Sequence, residues 1–460
     1  MRIFSTFLFC FLVTFSFSQN GEELKKIWIE LTDKDNSGYS IQQPEIFLSQ
    51  RALLRRQKQN ISIDATDLPV SMAYLDSLTR AGAKILTTSR WLNAVSVLVN
   101  AKNLKKIESF PFVKSTKYVG KNLTKLILLR KDNKMRDSLP DVFLLENYYG
   151  HAEEQIKMLK GEFLHQQGFK GEGIWIAVLD GGFSNMDIMP FFDSLRTHSR
   201  LIFPYDFVDG DQYVCETSSH GSEVLSTMAA NYPGLMVGTA PDATYICLKT
   251  EDTRGEYLIE ECNWVAALEY ADSLGVDIVN SSLGYTTFSD KEMDYNYKNL
   301  DGKTAIATRA ATIASQKGMI IVNSAGNEGN SDWKYIDVPA DAEHILTVGA
   351  VNSHKERAGF SSIGPASDGR IKPEVVALGK RVATASIYGP KVNHSQGTSF
   401  SSPIIAGLAA SLWQAFPERT NLEIMQAIIQ SGSQTDRPDN ELGYGIPDFR
   451  LAYQLLKSKF

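Results

Sequence analysis

Asp180, His220 and Ser399 are the residues whose types and surroundings suit covalent chemistry. Ser399 lies in GTSFSSP, residues 397–403, which runs straight into the apolar stretch IIAGLAASLWQAF. That stretch reads as a buried helix, with Pro403 near its first turn, where a fixed φ and a missing N–H do no harm. A serine at such a point can simply cap the helix. It can also act as a nucleophile, because the unpaired N–H groups of a first turn can bind a developing oxyanion. A serine nucleophile needs a base, and the base needs an orienting group. His220, in SSHGSEVLSTMAA, and Asp180, in IWIAVLDGGF, are the upstream candidates.

The elements that must position these residues show in the pattern. Residues 174–179 form an apolar run that reads as a strand buried on both faces, and it ends in the carboxylate of Asp180. In doubly wound sheets, chemistry gathers at the carboxyl ends of strands. Further strands are expected at 245–248, 276–279, 319–322 and 345–348, crossover helices at 257–274 and 304–317, and a closing helix at 421–430. Gly275 and Gly318 sit where helix-terminating glycines belong. The predicted fold class is α/β, a doubly wound, mostly parallel sheet preceded by a small α/β domain.

The order Asp, His, Ser, with a Gly-Thr-Ser turn before a buried helix, resembles the subtilisin-like serine proteases. SAGNEG, residues 324–329, is similar to that family's oxyanion-hole turn, and NSSLGY, residues 280–285, to its substrate-binding strand. The resemblance spans roughly residues 161–456. It implies Ser399 as nucleophile, His220 as general base, Asp180 as its orienting partner and Asn327 as oxyanion donor. It further implies an extended peptide clamped between Ser282, Leu283 and Gly284 on one edge and Thr253, Arg254 and Gly255 on the other, with Tyr257 and Leu283 lining the pocket for the fourth residue before the cut. It places Asp337 near the base of the first specificity pocket, which would favour Lys or Arg there. A non-enzymatic peptide-binding protein would typically have lost a triad member, and an esterase would show G-x-S-x-G with the order Ser, Asp, His.

Departures from the family pattern stand out. Ser222 and Glu223 follow His220 and Gly221 where threonine and histidine are usual, so Glu223 either perturbs His220, contacts substrate or is plain helix surface. Tyr285 replaces a glycine after SLG, which would reshape the cleft. Glu251, Asp252, Glu256, Glu260 and Glu261 crowd one segment. They read either as a solvated loop and helix start or as a preference for basic side chains upstream of the cut.

Residues 1–18 carry one early charge, Arg2, and an apolar stretch with small residues before Gln19, as a secretory signal peptide does. Residues 19–120 read as a small α/β unit, with strands at 26–31, 95–99 and 112–119 and helices at 44–58, 68–81 and 102–110. By resemblance this unit is a propeptide that assists folding and inhibits the protease, residues 121–150 are a linker holding the processing site, and residues 151–460, opening on a helix over 153–167, are catalytic. The expected product is a monomer, secreted or periplasmic, acting on polypeptides.

A formal net charge of -6, from 47 basic and 53 acidic residues, gives no basic excess for nucleic acid. No further stretch is apolar enough to span a membrane. Residues 33–45 open like a calcium-binding loop, but Pro44 stands where the bidentate glutamate belongs. No cofactor is required, no metal ligands are assigned, and a structural calcium of the family type is not traceable to particular residues. Of the cysteines, Cys10 would leave with the signal peptide. Cys247 reads as a buried thiol, and Cys215 and Cys262 as a possible bridge.

Overall fold

The computed structural model describes residues 23–35, 37–123 and 144–458. The expected signal peptide and most of the expected linker lie outside them. Seven strands form one parallel sheet, in the order Val375–Leu378, Leu346–Val351, Ile320–Ser324, Ile278–Ser281, Trp175–Asp180, Thr244–Lys249 and Tyr205–Asp206. Both faces are covered, and strand alternation shows how. Ile176 and Val178 join the core beneath helices His220–Ala229, Thr398–Ala415, Asn421–Gln430 and Phe449–Lys457. Ala177 and Leu179 join the core beneath Ile259–Leu274 and Ile306–Gln316.

The outer strands Val375–Leu378 and Tyr205–Asp206 were not expected. Tyr205–Asp206 is too short to show a period, and Val375–Leu378 is a four-residue apolar run whose only signal is its burial. The helix expected over 153–167 is broken into Glu153–Lys157 and Glu162–Gln166, because Lys160 turns left-handed at φ 55° between them. Gly275 ends its helix at φ 87°, as read from the sequence.

The N-terminal unit is a four-stranded antiparallel sheet, in the order Lys84–Ser89, Ala94–Asn100, Leu24–Leu31 and Val113–Lys121. Lys84–Ser89 was missed because KILTTS is half-exposed and mixes lysine and threonine, with no clean alternation. The helix expected over 44–58 is a short 3₁₀ turn followed by Gln50–Lys58, which Ser49 caps by accepting from Ala52 N. In the calcium-like turn Asp33 is already engaged: its Oδ1 accepts from Asp35 N at 2.9 Å and from Tyr74 Oη at 2.6 Å.

This unit lies on helix Ile259–Leu274. Trp28, Trp91, Leu92 and Val119 share a core with Trp264 and Leu268. Arg55, Arg56 and Arg90 all reach the buried Asp272. Among the described residues no disulfide forms. Cys262 is buried beside Leu258 O and Cys247 beside Met186 Sδ, and the bridge that Cys215 and Cys262 could have made is absent.

Candidate active site

Asp180 is the last residue of its strand, 1% exposed, with Oδ1 accepting from Gly181 N at 2.8 Å. His220 opens helix His220–Ala229, and its backbone N–H donates to Ser218 Oγ. Its Nδ1 lies 3.0 and 2.9 Å from the two carboxylate oxygens of Asp180. Gly221 makes this approach possible, since a Cβ there would stand 2.4 Å from Gly182 O and 2.9 Å from Asp180 Cβ. Burial works against charge on His220, but the charge and hydrogen bond of Asp180, with Glu223 adding, raise its pKa above the usual histidine value.

Ser399 is the second residue of helix Thr398–Ala415 and 6% exposed. Gly397, which precedes the helix, holds φ 146°, and a Cβ on it would stand 2.9 Å from Ser399 Oγ and 3.6 to 3.7 Å from the Asn327 amide atoms. The hydroxyl and the amide therefore face one gap. Asn327 Oδ1 accepts from Thr398 N at 2.9 Å and Thr398 Oγ1 at 3.2 Å, which turns Nδ2 the other way, available as a donor. Phe400, next to the serine, packs on the His220 ring with centroids 5.5 Å apart. Among the described residues no hydrogen bond closes Ser399 Oγ to His220, as is common where no substrate is bound.

Pro403 lies one turn deeper in the helix than expected, and this has a structural consequence. Its missing N–H frees the carbonyl four residues back, which is that of Ser399. Ser282 Oγ donates to that carbonyl at 2.8 Å, and Ser402 Oγ donates to Asn280 Oδ1 at 2.8 Å. The strand end and the serine helix are thus stitched together. Sequence reasoning missed the roles of Thr398 and Pro403, although both lie inside GTSFSSP.

The peptide-edge residues are distributed as follows. Gly284 and Thr253 are exposed, Leu283 and Gly255 half-buried, Tyr257 buried. Leu123 Cδ1 would be 3.7 Å from a Cβ on Gly255, so the N-terminal unit ends its described part against this edge. Arg254 turns back onto Asp252, at 2.5 and 2.7 Å. Tyr285 is 1% exposed and bonds Glu251 at 2.8 Å, so it fills the wall behind the cleft. Glu223 is half-buried, its Oε2 accepts from Ser395 Oγ at 2.7 Å, and its charge adds to the rise of the His220 pKa, so it perturbs the histidine rather than being plain helix surface.

Most of the acidic segment is structural: Asp252, Glu260 and Glu261 are buried, Glu251 is half-buried and Glu256 is exposed. Glu260 accepts from Asp252 N at 2.7 Å and Tyr257 N at 3.0 Å, and Glu261 from Tyr295 Oη and Ala307 N. Burial, with the charge of Glu256, pushes Glu251 up to about 8. Among the described residues, two carboxylate groups are close enough to share a cation, Asp206/Asp209/Glu216 and Glu251/Glu256/Glu260. Lys249 already sits in the first, 2.8 Å from Asp206, and backbone N–H groups take both oxygens of Glu260 in the second.

Residues 171–445, more than half of the chain, match the subtilase family (Peptidase S8), and residues 26–137 match the Peptidase S8 propeptide domain of Bacteroidota. Subtilisin DY of Bacillus licheniformis is 30% identical over 304 residues, 65% of this chain and 97% of its own length. Subtilisin E of Bacillus subtilis is 28% identical over 354 residues, 76% of this chain and 78% of its own length. Among solved structures, MycP1 from the ESX-1 type VII secretion system shares the fold, with a TM-score of 0.52 at 20% identity, covering 69% of this chain and 90% of its own. A parallel sheet that brings an aspartate, a histidine and a helix-borne serine to one edge, in a chain with these relatives, identifies the protein as a member of the subtilase family of serine endopeptidases, carrying an S8 propeptide domain.

Proposed function

We propose that the chain is the exported zymogen of an endopeptidase that removes its own N-terminal unit. Ser399 Oγ attacks the scissile carbonyl, His220 takes its proton and later gives it to the leaving amine, and Asp180 holds the imidazole in the productive tautomer. The carbonyl oxygen, as it gains charge, is held by Asn327 Nδ2 and the backbone N–H of Ser399. The observation that carries this reading is Gly397: its α-carbon is flanked by the Ser399 hydroxyl and by an Asn327 amide whose oxygen Thr398 ties off.

The N-terminal unit, ending its described part against Gly255, covers the peptide edge until it is released. Cleavage falls between Gly120 and His151, the signal peptide directs export, and the mature enzyme acts as a monomer without a required metal. Among the described residues no helix is long and apolar enough to cross a membrane.

The test is the N-terminal sequence and mass of the exported protein beside Ser399→Ala. Loss of the first 120 to 150 residues from the wild type alone supports the reading. Equal trimming of both assigns the cut to another protease and refutes self-processing.

A further inference from the structure

Three of the seven histidines line one surface cavity. Its volume is about 340 Å³, and its walls carry His151, His354, His394, Lys380 and Arg381, with Glu154 as the one acid. Lys380 and Arg381 follow strand Val375–Leu378, His354 lies in the loop after Leu346–Val351, and His394 is on Val392–Ser395, which pairs antiparallel with Val382–Ala385. The peptide edges instead follow Ile278–Ser281 and Thr244–Lys249, whereas Val375–Leu378 is the outermost strand of the sheet. The cavity is therefore separate from the cleft.

Its positive charge is unmatched. Among the described residues neither Lys380 nor Arg381 makes an ion pair or a side-chain hydrogen bond. The amides in the wall are spent, Gln155 on both backbone groups of Ala383 and Asn352 on Glu356, so the side chains left to meet a ligand are mainly cationic. Arg381 holds φ 60°, a left-handed conformation that glycine and asparagine adopt far more readily than arginine. The rings of His151 and His394 meet edge to face with centroids 6.2 Å apart. Burial, followed by the charges of Arg381 and His151, holds the His394 pKa below the usual histidine value. A metal cation entering here would add to this repulsion. An anion would relieve it.

We propose that the cavity binds a tetrahedral anion of the phosphate and sulfate class, held by Arg381 and Lys380 with the histidine N–H groups completing the shell. Arginine's planar fork matches such a group, and lysine serves it as a point charge. At about 340 Å³ the cavity is at the small end of ligand pockets, which run from roughly 300 to 1,000 Å³, and it has room for the anion free or as a monoester of a larger molecule. A bound dianion favours the charged imidazoles, so binding takes up protons and tightens as pH falls through the histidine range. The other five charged and titratable groups named above share the cavity with His394 and set that response together.

The experiment uses the Ser399→Ala chain, its histidines titrated by NMR in sodium sulfate and in sodium chloride of equal ionic strength. Sulfate stays a dianion across the range, and its general stabilising effect on proteins singles out no one histidine. Saturating sulfate should raise the His394 pKa by about one unit and leave that of His198, outside the cavity, in place. Arg381→Gly suits the left-handed backbone and so keeps the fold; it should weaken sulfate binding on the order of tenfold, and together with Lys380→Gln abolish it. Inorganic phosphate and O-phosphoserine then separate the sources: equal affinities support the free anion, and tighter phosphoserine supports a monoester. A His394 pKa that neither sulfate nor phosphate moves overturns the proposal, as does an equal response in the double variant. Signals of His151 and His394 that shift with Zn²⁺ but with neither anion overturn it in favour of a metal.

Discussion

Replacing Asp272 by alanine is expected to loosen the N-terminal unit from the protease without unfolding either. The carboxylate sits on helix Ile259–Leu274 and is fully buried, and it is met by Arg55, by Arg56 at 2.7 Å and by Arg90 at 2.5 Å, all from the N-terminal unit. Burial pushes its pKa up, but the arginines outweigh it, so the group stays charged down through the usual carboxylate range. A depressed carboxyl of this kind contributes at neutral pH and is lost only as pH falls through its folded value. Breaking a buried pair from one side costs about 3–5 kcal/mol, because the remaining charges stay buried and uncompensated.

Here the arginines keep other acceptors. Arg55 retains Val276 O, Arg56 retains Asp67 at 2.8 Å, and Arg90 retains Glu269 O at 3.0 Å. The low end of the range therefore applies, roughly 100-fold in dissociation constant. The assay takes the Ser399→Ala chain, opens it within residues 124–143 with an added protease, and follows separation of the two parts on dilution by fluorescence anisotropy. Affinity within threefold of the parent would refute the reasoning. The Nε atoms of all three arginines lack partners, so the network is incompletely satisfied and fixes register more than it drives docking. Simultaneous replacement of Arg55, Arg56, Arg90 and Asp272 by apolar residues should thus cost far less than Asp272→Ala alone.

His220 must be neutral to accept a proton, so activity falls as pH drops through its raised pKa. Glu223→Gln removes one of the charges that raise it and should move the acid limb of kcat/KM to lower pH; an unmoved limb would exclude the coupling. Thr398→Val removes one of the two donors that hold Asn327 Oδ1 and leaves the backbone N–H of residue 398, so kcat should fall by no more than about tenfold with little change in KM, given that a whole oxyanion donor is worth about 100- to 1000-fold. Gly397→Ala should abolish turnover by crowding Ser399 Oγ; retained activity would show that the gap is wider than its geometry implies. Ser282→Ala leaves the Ser399 carbonyl without its donor and should cost about 1–3 kcal/mol of stability, read as a lowered Tm.

The site was legible because its residues announce themselves locally. A strand that is apolar throughout and ends in Asp-Gly-Gly, or a Gly-Thr-Ser turn feeding an apolar helix, limits what the chain can do within ten residues. What escaped depended on partners far away in sequence. Glu223 reads as helix surface until Ser395 is seen beside it, 172 residues on. The acids from Glu251 to Glu261 read as a solvated loop, yet Glu261 accepts from Ala307 N, 46 residues on. Lys84–Ser89 carries no alternation because its burial is decided by helix Ile259–Leu274, against which it packs. Polar residues are the hardest to place from sequence for this physical reason: their burial depends on a satisfied partner, and the partner is not a local property.

Gly397 and Pro403 bracket the serine, and each acts by removing something. Gly397 removes a side chain, which lets the Ser399 hydroxyl and the Asn327 amide share one gap. Pro403 removes a donor, so that the Ser399 carbonyl turns from its own helix to Ser282. The second omission ties the nucleophile to the edge formed by Ser282, Leu283 and Gly284. In the proposed function, a peptide laid along that edge is positioned relative to Ser399 through this hydrogen bond, which couples helix Thr398–Ala415 to the edge. The same edge ends at Gly284, against Asp337. Under the proposed function, attack and peptide binding are thus referred to a single seam, which is why Ser282→Ala should raise KM and lower kcat together rather than affect either one alone.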